Sequence, residues 1–165
     1  MARVKSVKID GESIHVFNSA IYIFESSSGF TLEMDLIVSE VTVNKYKAID
    51  NLILEIELED GRIYNSIMHM KMLAGGLPQL NLYCEIDNLQ EYEGFDRVNE
   101  NDSWFPAIEQ GITLEDIRKV EMPDEEIRLK IKLPIDQAEW LKNQKKSTLN
   151  TLFKDWIYQH WKQQE

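Results

Sequence analysis

Three cationic residues in the last quarter of the sequence have a spacing that could bind an anionic polymer. Residues 127–133 read IRLKIKL, in which Arg128, Lys130 and Lys132 alternate with apolar side chains. Alternate residues of a β-strand point to the same face, so a strand here would carry cations on one face and apolar groups on the other. The cationic face suits phosphate groups, although charges of this kind also protect solvated edge strands from aggregation. The spacing leaves both interpretations open.

The sequence contains few residues of the kinds used for catalysis or metal binding. It has three His and one Cys, Cys84, and it lacks the G-x-S-x-G and H-E-x-x-H motifs. None of its seven glycines belongs to a phosphate-binding loop motif. A single cysteine also excludes an intramolecular disulfide. We therefore expect no enzymatic activity, no metal site and no cofactor.

Charge is distributed unevenly along the 165 residues. The whole chain carries a formal charge of −11, but residues 126–165 contain eight Lys and Arg against five Asp and Glu. This C-terminal part has a charge of +3 and the rest of the chain has −14. The imbalance excludes nucleic-acid binding over the whole surface and confines it to the C-terminal part. The sequence has no apolar run typical of a signal peptide or membrane span, so we expect a cytoplasmic protein without membrane contacts.

The residues that follow the cationic segment have the pattern of a short helix. Pro134 ends the predicted strand because it lacks the N–H that a sheet needs, and it suits the first turn of a helix. Ile135, Ala138 and Leu141 are spaced for one helical face, and the helix is expected to end near Lys145.

A second, longer helix is predicted to begin at Ser147 or Thr148, either of which could cap it. Its apolar side chains recur at intervals of three and four residues and form one stripe along the helix. The members of this stripe are Leu149, Leu152, Phe153, Trp156, Ile157 and Trp161, with His160 on the same face.

The succession of strand, proline, short helix and longer helix over residues 126–162 resembles the ribbon-helix-helix family of the Arc and MetJ repressors. In that family two chains pair their strands into an antiparallel ribbon that enters the major groove of DNA. The resemblance implies a homodimer in which Arg128, Lys130 and Lys132 contact base edges and the apolar stripe forms the dimer core. It also implies that the N-terminus of the second helix holds a DNA phosphate. The residues at that place are Lys145, Lys146, Ser147 and Thr148.

Residues 1–105 are interpreted as an acidic antiparallel β domain, either a barrel or a sandwich. Segments 30–38 and 52–58 alternate between apolar and mainly acidic side chains, which is typical of strands with one buried face and one wet face. Asp60 and Gly61 predict a type I′ hairpin turn into a return strand at about 63–73. Further strands are predicted at 13–24, 40–47 and 80–86.

Residues 87–105 have no sustained period and are interpreted as a long surface loop. Residues 106–125 connect the β domain to the C-terminal segment and include a predicted short helix at 112–120, capped by Thr113. The predicted fold class is therefore α+β, with an antiparallel β domain followed by a strand–helix–helix segment at 126–165.

Two functions are consistent with this organisation. The first is a dimeric DNA-binding regulator whose acidic β domain binds a protein partner or an effector. The second is a non-catalytic scaffold protein whose C-terminal amphipathic helix packs on its own β-sheet. The two functions differ in what covers the apolar stripe. In the DNA-binding regulator the stripe lies against a second chain, and in the scaffold protein it lies against the β-sheet of its own chain.

Overall fold

A computed structural model describes residues 2–71 and 75–163 and has the α+β architecture that the sequence predicts. The chain divides into two compact units, one ending at Asp124 and one beginning at Glu125. The elements of the first unit are β1 (Val4–Ile9), β2 (Glu12–Ile14), β3 (Asn18–Ser26), β4 (Gly29–Ile37), α1 (Glu40–Tyr46), β5 (Asn51–Leu58), β6 (Ile63–Lys71), β7 (Gln79–Ile86), a 3-10 turn (Leu89–Tyr92), β8 (Asp96–Asn99) and α2 (Leu114–Val120). The second unit contains α3 (Ile135–Lys142) and α4 (Lys146–Lys162).

The strands of the first unit form one open sheet in the order β2-β1-β5-β6-β7-β4-β3-β8. Neighbouring strands are antiparallel, except that β8 runs parallel to β3 and makes the sheet mixed. Closing a barrel would require its two edge strands to pair, and here the edges are a three-residue and a four-residue strand that do not pair within the described residues. The barrel alternative is therefore wrong, and so is the expectation of a purely antiparallel sheet.

Alternation correctly predicts the buried face of the central strands. Leu32, Met34 and Leu36 of β4 are completely buried, as are Leu52, Leu54, Ile56 and Leu58 of β5, whereas Ile53 on the other face of β5 is exposed. The predicted hairpin between β5 and β6 is also confirmed. The return strand is predicted to end at about residue 73; β6 is described as far as Lys71, so that predicted end lies outside the described residues. Its turn is not type I′, because only Gly61, at φ +88°, has a positive φ.

Two segments differ from their predicted structure. Residues 40–47, predicted as a strand, contain the helix α1, because the Ser39 hydroxyl accepts the Thr42 N–H at 3.0 Å and caps the first turn. Residues 87–105, predicted as a loop, contain the 3-10 turn and β8. The predicted helix at 112–120 is confirmed as α2, where Thr113 and Asp116 form a reciprocal capping box. None of the described helices has the length and apolar character needed to span a membrane.

Candidate functional site

The cationic segment at 127–133 is exposed on both of its faces. Arg128, Lys130 and Lys132 are exposed, but so are Ile127 and Leu129, at 75% and 76%. No described strand pairs with this segment, so the predicted strand is not formed within the single chain. A strand is defined by hydrogen bonds to a neighbour, and this segment has no such neighbour among the described strands.

The two predicted helices of the second unit are confirmed. Pro134 is the N-cap of α3, eight residues long, and three residues separate α3 from the seventeen-residue α4. In α3, Ala138 and Leu141 are half-buried, whereas Ile135 and Trp140 are exposed. The sequence pattern thus gives the order and type of these elements correctly.

The N-cap of α4 lies two or three residues earlier than predicted. Lys145 is the N-cap and makes no side-chain cap hydrogen bond, so neither Ser147 nor Thr148 caps the helix. Both instead lie in the first turn, next to Lys146. The first N–H groups of a helix have no partner within it and carry a partial positive charge, which favours an anion there. The four consecutive residues that the resemblance assigns to phosphate binding thus lie at the N-cap and in the first turn of α4.

The side chains in the apolar stripe of α4 are mostly exposed. Trp156 and Trp161 are 57% and 58% exposed, and Leu149 is half-buried. The remaining members of the stripe, Leu152, Phe153 and Ile157, are also exposed. His160 is also exposed; its Nδ1 bonds to the Trp156 carbonyl at 2.8 Å, and the centroids of the two rings are 4.2 Å apart.

Arg128 makes one ion pair, with Glu126, at 3.1 Å between Nε and Oε1. Both side chains are highly exposed, so solvent screens the pair and it contributes little to stability. The guanidinium can exchange this carboxylate for a phosphate or a base edge at small cost.

The structure also contains a polar cluster that the sequence analysis missed, on the side of β4 that was predicted to be wet. Glu33 and Asp35 are buried there. The Tyr22 hydroxyl donates to Asp35 Oδ2 at 3.1 Å, and the Asn81 amide donates to Oδ1 at 2.6 Å. Glu33 Oε1 accepts the Thr31 hydroxyl at 3.1 Å.

Burial shifts the acid–base properties of this cluster. It raises the pKa of Glu33, against the opposing effects of Lys71 and the Thr31 hydroxyl. Burial, followed by the charges of Asp35 and Glu33, raises the pKa of Tyr22, which stays protonated. A hint in the sequence was Phe105, an aromatic side chain in a stretch without a period, since such side chains need a surface to pack on and Phe105 stacks on Phe24.

No family model matches the sequence, and no similar curated protein or solved structure was found. Functional inference therefore rests on the residues and their arrangement.

Proposed function

We propose that the protein is a homodimeric DNA-binding regulator in which residues 126–162 form a ribbon-helix-helix-like unit with a second copy of the chain. The observation that carries this proposal is the exposure of both faces of residues 127–133. An alternating segment that exposes its apolar side as well as its cations gains free energy when that side is covered. An identical antiparallel strand would satisfy its backbone hydrogen-bonding groups and would place the apolar side chains of both copies on one face, which helices can then cover.

The segment is self-complementary about its central residue. With a two-fold axis through Lys130, that residue would face its own copy, Arg128 would face Lys132, and Leu129 would face Ile131. Each pair would place a cation opposite a cation or an apolar side chain opposite an apolar one, so the ribbon would have one apolar face and one face with six cations. Like charges directly opposite each other destabilise a ribbon, and the phosphates and base acceptors of a DNA groove would relieve that repulsion.

The rest of the second unit supports the same arrangement. In a dimer, the stripe of α4 would pack beneath the apolar face of the ribbon and bury Trp156 and Trp161. The uncapped N-terminus of α4, beside Lys145 and Lys146, would then be free to bind a DNA phosphate.

Fluorescence anisotropy with a random pool of duplex DNA tests the proposal on the full chain. We expect binding at low salt that weakens as salt is raised, by about 0.9 log units in the association constant per tenfold salt for each neutralised phosphate. The variant Arg128→Ala/Lys130→Ala/Lys132→Ala should lose this binding. The matched control, Lys5→Ala/Lys47→Ala/Lys119→Ala, removes the same charge from the first unit and should retain it.

Two results would overturn the proposal. The first is the absence of binding to the pool at low salt, where a ribbon with six cations should at least hold phosphate. The second is a monomer in sedimentation equilibrium at every concentration, since the ribbon strand would then have no partner. That second result would favour the scaffold alternative, in which the chain covers its own stripe.

A further inference from the structure

The first unit contains a cavity of about 660 Å³ on the face of the sheet opposite the main core. Its floor is formed by side chains of β3, β4 and β7, and residues 105–110 cover it. The floor residues used below are Tyr22, Phe24, Glu33, Asp35 and Asn81. A cavity of this volume matches the size of ordinary small-molecule sites.

Residues 105–110 are held by specific contacts with β3 and with the segment that precedes β7. Glu109 Oε1 accepts the N–H groups of Gly76 and Leu77 at 2.8 and 3.0 Å. The Asn18 amide donates to the Ile108 carbonyl at 2.7 Å. The Ile108 side chain is buried beside Ile37 and Ile117 in a second, small core. These contacts hold residues 105–110 in place beside the floor of the cavity.

The charged groups of the cavity leave an excess of negative charge. Among the described lining residues, Glu33, Asp35 and Glu109 face a single cation, Lys71. Both oxygens of Asp35 accept hydrogen bonds from the floor, and Oε1 of Glu109 accepts the N–H groups of Gly76 and Leu77. These contacts leave Glu33 as the carboxylate with unused capacity.

Glu33 is almost completely withdrawn from water, with 6% of its side chain exposed. Its Oε2 lies 3.7 Å from Lys71 Nζ, which is too long for a hydrogen bond. The lysine side chain is 43% exposed, so it can turn into solvent and give up this position. A buried carboxylate oxygen beside a loosely held cation is a place where another cation can bind.

Two aromatic side chains, Phe24 and Phe105, line the same cavity as this carboxylate. The Phe24 and Phe105 rings are stacked, with their centroids 6.2 Å apart and an interplanar angle of 29°. Lys71 Nζ lies 6.0 Å from the Phe24 centroid, within the range of a cation–π contact. The ammonium group of Lys71 therefore lies near both the Glu33 carboxylate and the ring of Phe24.

We propose that this cavity binds a small organic cation, a primary ammonium or guanidinium group on an apolar body, with its charge at Glu33 and its apolar part against Phe24 and Phe105. A metal ion fits less well, because the described residues contain no cluster of three or more His, Cys, Asp or Glu side chains arranged as ligands. An anion would be repelled by the excess negative charge of the residues that line the cavity. This site lies within the first unit, so the proposal does not depend on DNA binding by the second.

Titration of the full chain with benzylammonium, followed by ¹H–¹⁵N correlation NMR at neutral pH, tests this proposal. Benzyl alcohol serves as the neutral isostere and benzoate as the anion. We expect saturable shifts of the amides around the cavity below about 10 mM benzylammonium. Benzyl alcohol should bind at least about tenfold more weakly, because it forms no charge-assisted hydrogen bond.

Two variants with matched controls test the contributions of the Glu33 carboxylate and of the aromatic pair separately. Glu33→Gln should weaken benzylammonium binding at least about tenfold, and the same change at the exposed Glu115 should not. Phe105→Ala should weaken binding several-fold, whereas Trp104→Ala should not. The correlation spectrum of each variant shows whether it is folded. The proposal fails if benzylammonium gives no saturable shifts, if benzyl alcohol binds equally well, or if Glu33→Gln binds like the parent.

Discussion

Glu33 and Asp35, the two buried carboxylates on the cavity side of β4, are held by different contacts, and this difference affects the stability of the fold. Asp35 is fixed by two hydrogen bonds, from Tyr22 and Asn81, whereas Glu33 has one hydrogen bond and a long ion pair. A buried carboxylate with few partners costs folding free energy when it is ionised. Residues that reduce stability in this way are often found at binding sites.

The Glu33→Gln substitution should stabilise the fold at neutral pH. The pKa of Glu33 is raised, so the folded state binds its proton more tightly than the unfolded state does, and ionisation lowers stability. The stabilising effect should be largest above the raised pKa and should disappear as the pH falls below the ordinary range of a glutamic acid. Urea unfolding of both proteins at neutral and acidic pH measures this. An advantage that grows towards acidic pH would contradict the assignment.

Asp35→Ala should have the opposite effect on stability at neutral pH. It removes the acceptor of the Tyr22 hydroxyl and the Asn81 amide, and leaving two buried donors unsatisfied costs about 2–4 kcal/mol. Urea unfolding gives the difference. Asp50→Ala, at an exposed position, is the control and should change stability by less than about 0.5 kcal/mol. A loss as small as that of the control would show that the cluster is solvated.

At the level of helices and strands, sequence reasoning succeeded where the pattern is local. Periods of two and of three to four residues correctly gave β4, β5 and α4. The pattern failed at residues 40–47, where Val41 and Val43 alternate as in a strand, but Ser39 caps a helix. It also failed for the outer face of β4, because residues 105–110, about seventy positions further along the chain, cover that face. Period alone contains no information about such distant contacts.

The cap of α1 should be measurable as a loss of stability in Ser39→Ala. This change removes the acceptor of the Thr42 N–H and the hydroxyl that contacts Glu121, and loss of an N-cap costs about 1 kcal/mol. Chemical unfolding of the variant should show this decrease. Ser27→Ala, in an exposed turn, is the matched control. An equal effect in both variants would mean that the cap contributes nothing.

For the molecule as a whole, the two units differ in charge and in how their apolar side chains are covered. The first unit has its own core, while the second exposes most of its large apolar side chains. Isolated helices shorter than about 12–15 residues are marginal in water, and longer ones gain most of their stability from packing. The stability of α3 and α4 should therefore depend on an association that the first unit does not need.

Dilution should lower the helical signal of the chain without unfolding its sheet. If the second unit folds as a dimer, ellipticity at 222 nm should fall as the protein is diluted through the dimer dissociation constant. Trp156→Gln should move this change to higher concentration, and Gln159→Ala, off the stripe, should not. A helical signal unaffected by dilution and by Trp156→Gln would contradict a dimer held together by the stripe.

The parallel pairing of β8 with β3 sets an order in which the first unit can assemble. β3 and β4 are joined by a short turn and can pair early, whereas β8 meets β3 across about seventy residues of intervening chain. The loop entropy of that closure has to be overcome before the pairing gains any free energy. On a ribosome, the sheet can form up to β7 while β8 is still being synthesised. The segment that covers the cavity follows β8, so the cavity is among the last features of the unit to form.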